Sequence, residues 1–136
     1  MSDDKHFFDT NILLYLLADD EAKADRAEEL LSAGGVVSVQ VLNEFTSVAT
    51  RKLSMSIADV REVLNTIRAI CRVDPLTIET HDQGLEVAER HRFSLYDSMI
   101  VASALLGNCT TLYSEDLQHR QRIDERLTIV NPFESS

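Results

Sequence analysis

Five short apolar runs, each three or four residues long, punctuate a chain whose remaining stretches carry helical spacing. The runs are His6-Phe7-Phe8, Val36-Val37-Ser38-Val39, Cys71-Arg72-Val73, Thr110-Thr111-Leu112-Tyr113 and Leu127-Thr128-Ile129-Val130. Between them, helices are expected over 12–17, 21–31, 40–53, 57–70, 77–90 and 94–106. Gly34-Gly35, Asp74-Pro75 and Gly107-Asn108 supply the breaks. Strands too short to stand alone, each followed by helix, have one economical packing. It is an α/β domain with a parallel five-stranded sheet flanked by helices on both faces. Without linker, repeat or composition break, residues 1–136 are expected to form a single domain.

Several classes are excluded. The longest apolar run, Ile12 to Ala18, is far short of a bilayer span of roughly 18 residues. The start, Met1-Ser2-Asp3-Asp4, is acidic where a secretory signal is basic and then apolar, so a cytoplasmic location is expected. Cys71 and Cys109 match no zinc or thioredoxin spacing and read as reduced core thiols. His6, His81, His91 and His119 fall into no zinc-ligand pattern, and His81 and His91 read as solvent-facing. No glycine-rich phosphate loop is present. A net charge of −10 argues against loose, charge-driven nucleic-acid binding. The exception is 51–73, where Arg51, Lys52, Arg61, Arg68 and Arg72 outnumber Asp59 and Glu62.

Three aspartates stand where strands end or helices begin. Asp9 follows the first run, Asp116 follows the fourth, and Asp97 lies three residues after a Ser94 N-cap. At helical spacing, Val101 and Leu105 fall to one side of Asp97, and Ala104 and Ile100 to the other. The carboxylate therefore projects from an apolar arc, where an acid needs a cation or strong donors. Glu44 lies at the edge of the arc formed by Val41, Phe45, Val48 and Ala49. Singly, each acid also reads as a cap or a solvated helix edge. In a parallel sheet the three aspartates converge at the carboxyl edge, where ligands of α/β proteins bind. Four acids gathered there repel one another unless a hard divalent cation such as Mg²⁺ or Mn²⁺ sits among them.

Four blocks in order resemble the PIN domain family, and within it the VapC-type toxins of toxin–antitoxin pairs. They are Phe7-Phe8-Asp9-Thr10-Asn11-Ile12-Leu13, Ser38-Val39-Gln40-Val41-Leu42-Asn43-Glu44-Phe45, Ser94-Leu95-Tyr96-Asp97-Ser98-Met99-Ile100-Val101, and Leu112-Tyr113-Ser114-Glu115-Asp116-Leu117-Gln118-His119. The closing Val130-Asn131-Pro132-Phe133 matches as well. Arg120 stands where many relatives have glycine, and Glu115 beside Asp116 leaves open which carboxylate enters the site. The serine-x-acid pattern from Ser114 favours Asp116.

The resemblance implies a Mg²⁺- or Mn²⁺-dependent endoribonuclease, inhibited by a small antitoxin that blocks an acidic pocket, and a homodimer. On this reading Asp9, Asp97 and Asp116 hold one or two metal ions. Glu44 orients the attacking water or completes a second metal position. Thr10, Asn11 and Ser114 fix the carboxylates. Arg51, Lys52, Arg120 and Arg122 are candidates for RNA phosphate contacts. The alternatives are a non-catalytic protein-binding module and a structure-specific DNase.

Overall fold

The computed structural model describes residues 5–134, so the acidic Met1–Asp4 start lies outside the described residues. The strands are β1 (His6–Phe8), β2 (Gly35–Ser38), β3 (Cys71–Asp74), β4 (Thr111–Tyr113), β5 (Arg122–Ile123) and β6 (Leu127–Val130). The helices are α1 (Thr10–Leu14), α2 (Glu21–Ser32), α3 (Val39–Lys52), α4 (Ile57–Ile70), α5 (Ile78–His91) and α6 (Leu95–Leu106). Spatial strand order is β3-β2-β1-β4-β6-β5. Every pairing is parallel except β5 with β6. The five expected strands are present. The sixth, β5, is a two-residue antiparallel edge strand that returns through a tight turn into β6. So short a strand, opened by a charged Arg122, leaves no apolar run to detect.

Both faces of the sheet are covered. Phe7 and Phe8 point to opposite faces of β1, as neighbours on a strand must, and both are fully buried. Val36 and Val37 repeat this on β2. Helix α6 packs on β2 and β4. Its apolar residues are buried almost all round, from Ile100 to Leu105, as its sequence implies for a central helix. Cys71 and Cys109 are free and buried, and burial pushes both thiols up to about 11. His81 is exposed, whereas His91 stacks on Phe93 rather than facing solvent freely. No helix among the described residues is long and apolar enough to cross a membrane.

Local signals set the helix ends. Ser38, Ser56, Thr77 and Ser94 each accept a backbone N–H from the first turn that follows. Ser38 ends β2 one residue before the expected boundary, and Val39 enters α3. The expected helix over 12–17 is α1 followed by a 3₁₀ turn at Tyr15–Leu17. Gly35 lets β2 approach β1. A Cβ there would lie 2.4 Å from Phe8 Cε2 and 2.6 Å from His6 O, a backbone atom that cannot yield. Gly35→Ala is expected to destabilise the fold by about 3 kcal/mol, read as a lower urea midpoint at unchanged m-value.

The chain runs outward from β1 to β2 and β3, then returns through α5 and α6 to β4, on the other side of β1. The strand order therefore reverses between β1 and β4, and the crevice of such a sheet opens at the carboxyl ends flanking that point.

Candidate active site

β1 and β4 run in register, with Phe8 opposite Tyr113, so Asp9 and Ser114 leave the sheet side by side. The Asp9 N–H donates to Tyr113 O at 3.0 Å, which completes the ladder. Asp9 then caps α1. Its Oδ1 accepts from the Thr10 N–H at 2.7 Å and its Oδ2 from the Ser114 hydroxyl at 2.8 Å. Capping and pointing into a crevice are thus one conformation. Asp9 is only 4% exposed. Burial pushes its carboxyl up to about 7, against the Ser114 and Thr10 hydrogen bonds, and the charges of Asp116 and Asp97 add to the rise.

The same small residues hold the other acids. Ser114 Oγ accepts from the Asp116 N–H at 3.2 Å, and Asn11 Nδ2 donates to Asp116 Oδ2 at 3.0 Å. Asn11 Oδ1 accepts from the Glu115 N–H at 3.3 Å. The Thr10 hydroxyl donates to Glu44 Oε1 at 2.7 Å, joining α1 to α3. Asp97, half-buried in the first turn of α6, has its carboxyl raised by burial. The Ser94 hydrogen bond opposes that rise, and the Asp116 charge adds to it. Among the described residues no helix follows β4, so Asp116 is not the helix cap that it could be from sequence.

Asp9, Glu44, Asp97 and Asp116 line one cavity of about 320 Å³, with Thr10 and Asn11 in its wall. Glu115 turns away. It accepts from the Tyr15 hydroxyl and from Lys23 Nζ at 3.3 Å, and that ammonium also lies 4.7 Å from the Tyr15 ring centre. The neighbouring acids are therefore separated by their partners, with Asp116 in the cavity and Glu115 in a peripheral ion pair.

The basic candidates divide. Arg51 lines the cavity, with its Nε donating to Ser47 Oγ at 3.0 Å. Lys52 is exposed at the end of α3 and does not line the cavity. Arg120 and Arg122 line a different cavity beside β6, because the β5–β6 pairing carries that segment away from the acids. Sequence reasoning missed Tyr96, 66% exposed in the wall next to Asp97. An exposed aromatic at a cavity mouth can stack on a nucleobase.

The donor chemistry fits a divalent cation. All four acids offer hard oxygens, and none of them is in an ion pair among the described residues. Among the described residues, no group of three or more acidic, histidine or cysteine side chains stands close enough together to hold a metal ion. Magnesium takes only one or two carboxylates and fills its octahedron with water and phosphate oxygens, so an incomplete protein cage is compatible with it.

Fold and site together define an α/β protein with an acidic crevice at its topological switch point. The chain belongs to the PIN domain family, whose profile matches residues 6–124, and PIN domains are nucleases. No curated protein matches it in sequence. Among solved structures, it is similar to a toxin–antitoxin complex from Klebsiella pneumoniae, at 18% identity and TM-score 0.72, covering 96% of this chain and 100% of that one. It is also similar to VapC20 of Mycobacterium tuberculosis, described as a sarcin–ricin loop cleaving toxin. That likeness has 22% identity and TM-score 0.67, over 82% of this chain and 90% of the other. A third likeness is to VapBC2 of Rickettsia felis bound to a promoter DNA fragment, at 18% identity and TM-score 0.64, over 91% and 96%.

Proposed function

We propose that this chain is a divalent-metal-dependent endoribonuclease and the toxin of a toxin–antitoxin pair. The observation that carries the reading is the meeting of four otherwise unpaired acids in one cavity. One of them, Asp9, is buried and held near a pKa of about 7 by its surroundings. Asp9, Asp97 and Asp116 would hold Mg²⁺ or Mn²⁺, which supplies charge neutralisation at the phosphate and lowers the pKa of water. Thr10, Asn11 and Ser114 fix the carboxylates in place before substrate arrives. Glu44, with Oε1 engaged by Thr10, offers its second oxygen to orient the attacking water and take its proton. Arg51 and Tyr96 are set to hold a phosphate and a base at the mouth.

The partner proposed is a small protein with a segment that folds on docking and places a cationic side chain among the acids. One of the similar structures is a toxin–antitoxin complex and another is described as a toxin, which supports that assignment. A homodimer is proposed as well. Ile78 and Leu85, two turns apart on α5, and Leu95 at the start of α6 are exposed apolar residues that a second copy would cover.

Total RNA incubated with Mn²⁺, with and without chelator and with the ends mapped, tests the reading. Cleavage at defined sites that chelator abolishes is expected, with DNA oligonucleotides left intact. RNA left whole, or DNA cut instead, overturns it. In the same assay Asp116→Asn should lose more than tenfold while Glu115→Gln loses less than threefold, since only the former faces the cavity.

A further inference from the structure

The cavity beside β6, about 500 Å³, is framed by Arg26, His119, Arg120 and Arg122. Asn131 and Glu134 complete its rim. In a chain of net charge −10, this gathering of three arginines is unexpected. Arg26 is paired with Glu29 at 2.8 Å, but Arg120 and Arg122 have no carboxylate partner among the described residues. Arg122 is held by its own hairpin, with Nη2 donating to Glu125 O at 2.7 Å.

His119 and Arg120 show what is missing. The Asn131 N–H donates to His119 Nδ1 at 2.9 Å. A neutral imidazole has one proton, so here it belongs on Nε2. Arg120 Nε lies 3.4 Å from that Nε2, which sets donor against donor. An anionic oxygen accepting from both resolves the conflict. Arg120 also adopts φ +71, a left-handed conformation that is strained for a residue with a side chain and costs glycine almost nothing. Its backbone is pinned there by a 2.7 Å hydrogen bond to Ile129 O.

The cavity lies at the same carboxyl edge of the sheet as the acids. His119 is three residues beyond Asp116, so their Cα atoms are at most about 11 Å apart. We propose that this cavity binds a backbone phosphate of the RNA strand, a few nucleotides from the bond cut at the acidic site. The inference rests on the ribonuclease reading above and adds the missing source of attraction. The acidic crevice repels RNA, and a cationic cavity one loop away holds it.

The test is fluorescence anisotropy of a labelled 20-nucleotide single-stranded RNA of mixed sequence, in chelator, across a salt series. The intact protein is compared with Arg120→Gly/Arg122→Gln and with a remote control, Arg61→Gln/Arg68→Gln on α4. Arg120→Gly relieves backbone strain, so the variant should melt within a few degrees of the parent. It is expected to bind at least tenfold more weakly. Its salt slope should be shallower by about 0.7 for each phosphate no longer neutralised. The control should keep both values. Equal losses in variant and control, an unchanged slope, or no detectable RNA binding by the parent at 50 mM salt overturns the proposal. Competition of a glutamate-rich peptide for the cavity, with the RNA slope unchanged, would assign it to an acidic protein segment instead. Mn²⁺-dependent cleavage of the same RNA by the parent is scored separately. Cleavage with no difference in binding sinks the phosphate site alone, whereas no cleavage sinks the ribonuclease reading.

Discussion

Asp97→Asn is expected to abolish most RNA hydrolysis while leaving the fold intact. Losing one carboxylate from the cavity removes part of the charge that anchors a divalent cation against the phosphate. A metal ion supplies several kcal/mol of transition-state stabilisation. Forfeiting about 4 kcal/mol of it is about a thousandfold in rate. The fold should tolerate the change, because Ser94 rather than Asp97 caps α6 and keeps its hydrogen bond to the backbone N–H of residue 97. The lost interaction with the helix dipole, up to about 1 kcal/mol, is offset by relief of repulsion from Asp116 and of the burial that raises the Asp97 carboxyl. Ser114→Ala provides the graded comparison. It leaves all the acids in place but frees Asp9 Oδ2 and the Asp116 N–H, so a loss of about 10–100-fold is expected. Single-turnover cleavage in Mn²⁺, with circular dichroism melts of each variant, reads both quantities. Wild-type cleavage by Asp97→Asn would remove the acid cluster from the chemistry.

Much of the site was legible because its parts sit at punctuation marks in the sequence. Asp9 ends an apolar run and starts a helix, and Asp97 interrupts an otherwise apolar arc, so a parallel sheet has to bring them together. Other features depend on tertiary contacts. Val36-Val37-Ser38-Val39 satisfies a strand pattern throughout, and only the hydrogen bond from the Val41 N–H to Ser38 Oγ moves Val39 into α3. Glu115 and Asp116 are equivalent in sequence. They separate because Tyr15 and Lys23, from the turn after α1 and from α2, hold Glu115 away from the cavity. Arg120 and Arg122 follow Asp116 closely in the chain, yet the β6 ladder directs them into a neighbouring cavity, which sequence proximity could not reveal. Two-residue β5 lies below the length at which alternation carries a signal.

Asp9→Asn should stabilise the metal-free protein at neutral and alkaline pH while eliminating cleavage. The Asp9 carboxyl is held up at about 7 in the folded chain, from an ordinary 3.8. Between those values the folded chain keeps a proton that the unfolded chain has released. Stability therefore falls as pH rises from about 4 and levels off above about 7. At about 1.36 kcal/mol per pH unit, the loss approaches roughly 4 kcal/mol. An asparagine at this position does not ionise and caps a helix as well as aspartate. It can still accept from the Thr10 N–H. The wild type and the variant should thus melt together near pH 4 and diverge as pH rises, the variant melting on the order of 10 °C higher at pH 8. The raised Asp97 carboxyl tilts both proteins the same way, so the comparison between them isolates Asp9. Adding Mn²⁺ at pH 8 should raise the wild-type melting temperature and close the gap, because binding to the folded state alone offsets the cost of the buried charge. The variant should respond far less. Parallel pH profiles for the two proteins would mean that Asp9 ionises without penalty. The buried acid would then no longer be a reason to place a cation in the crevice.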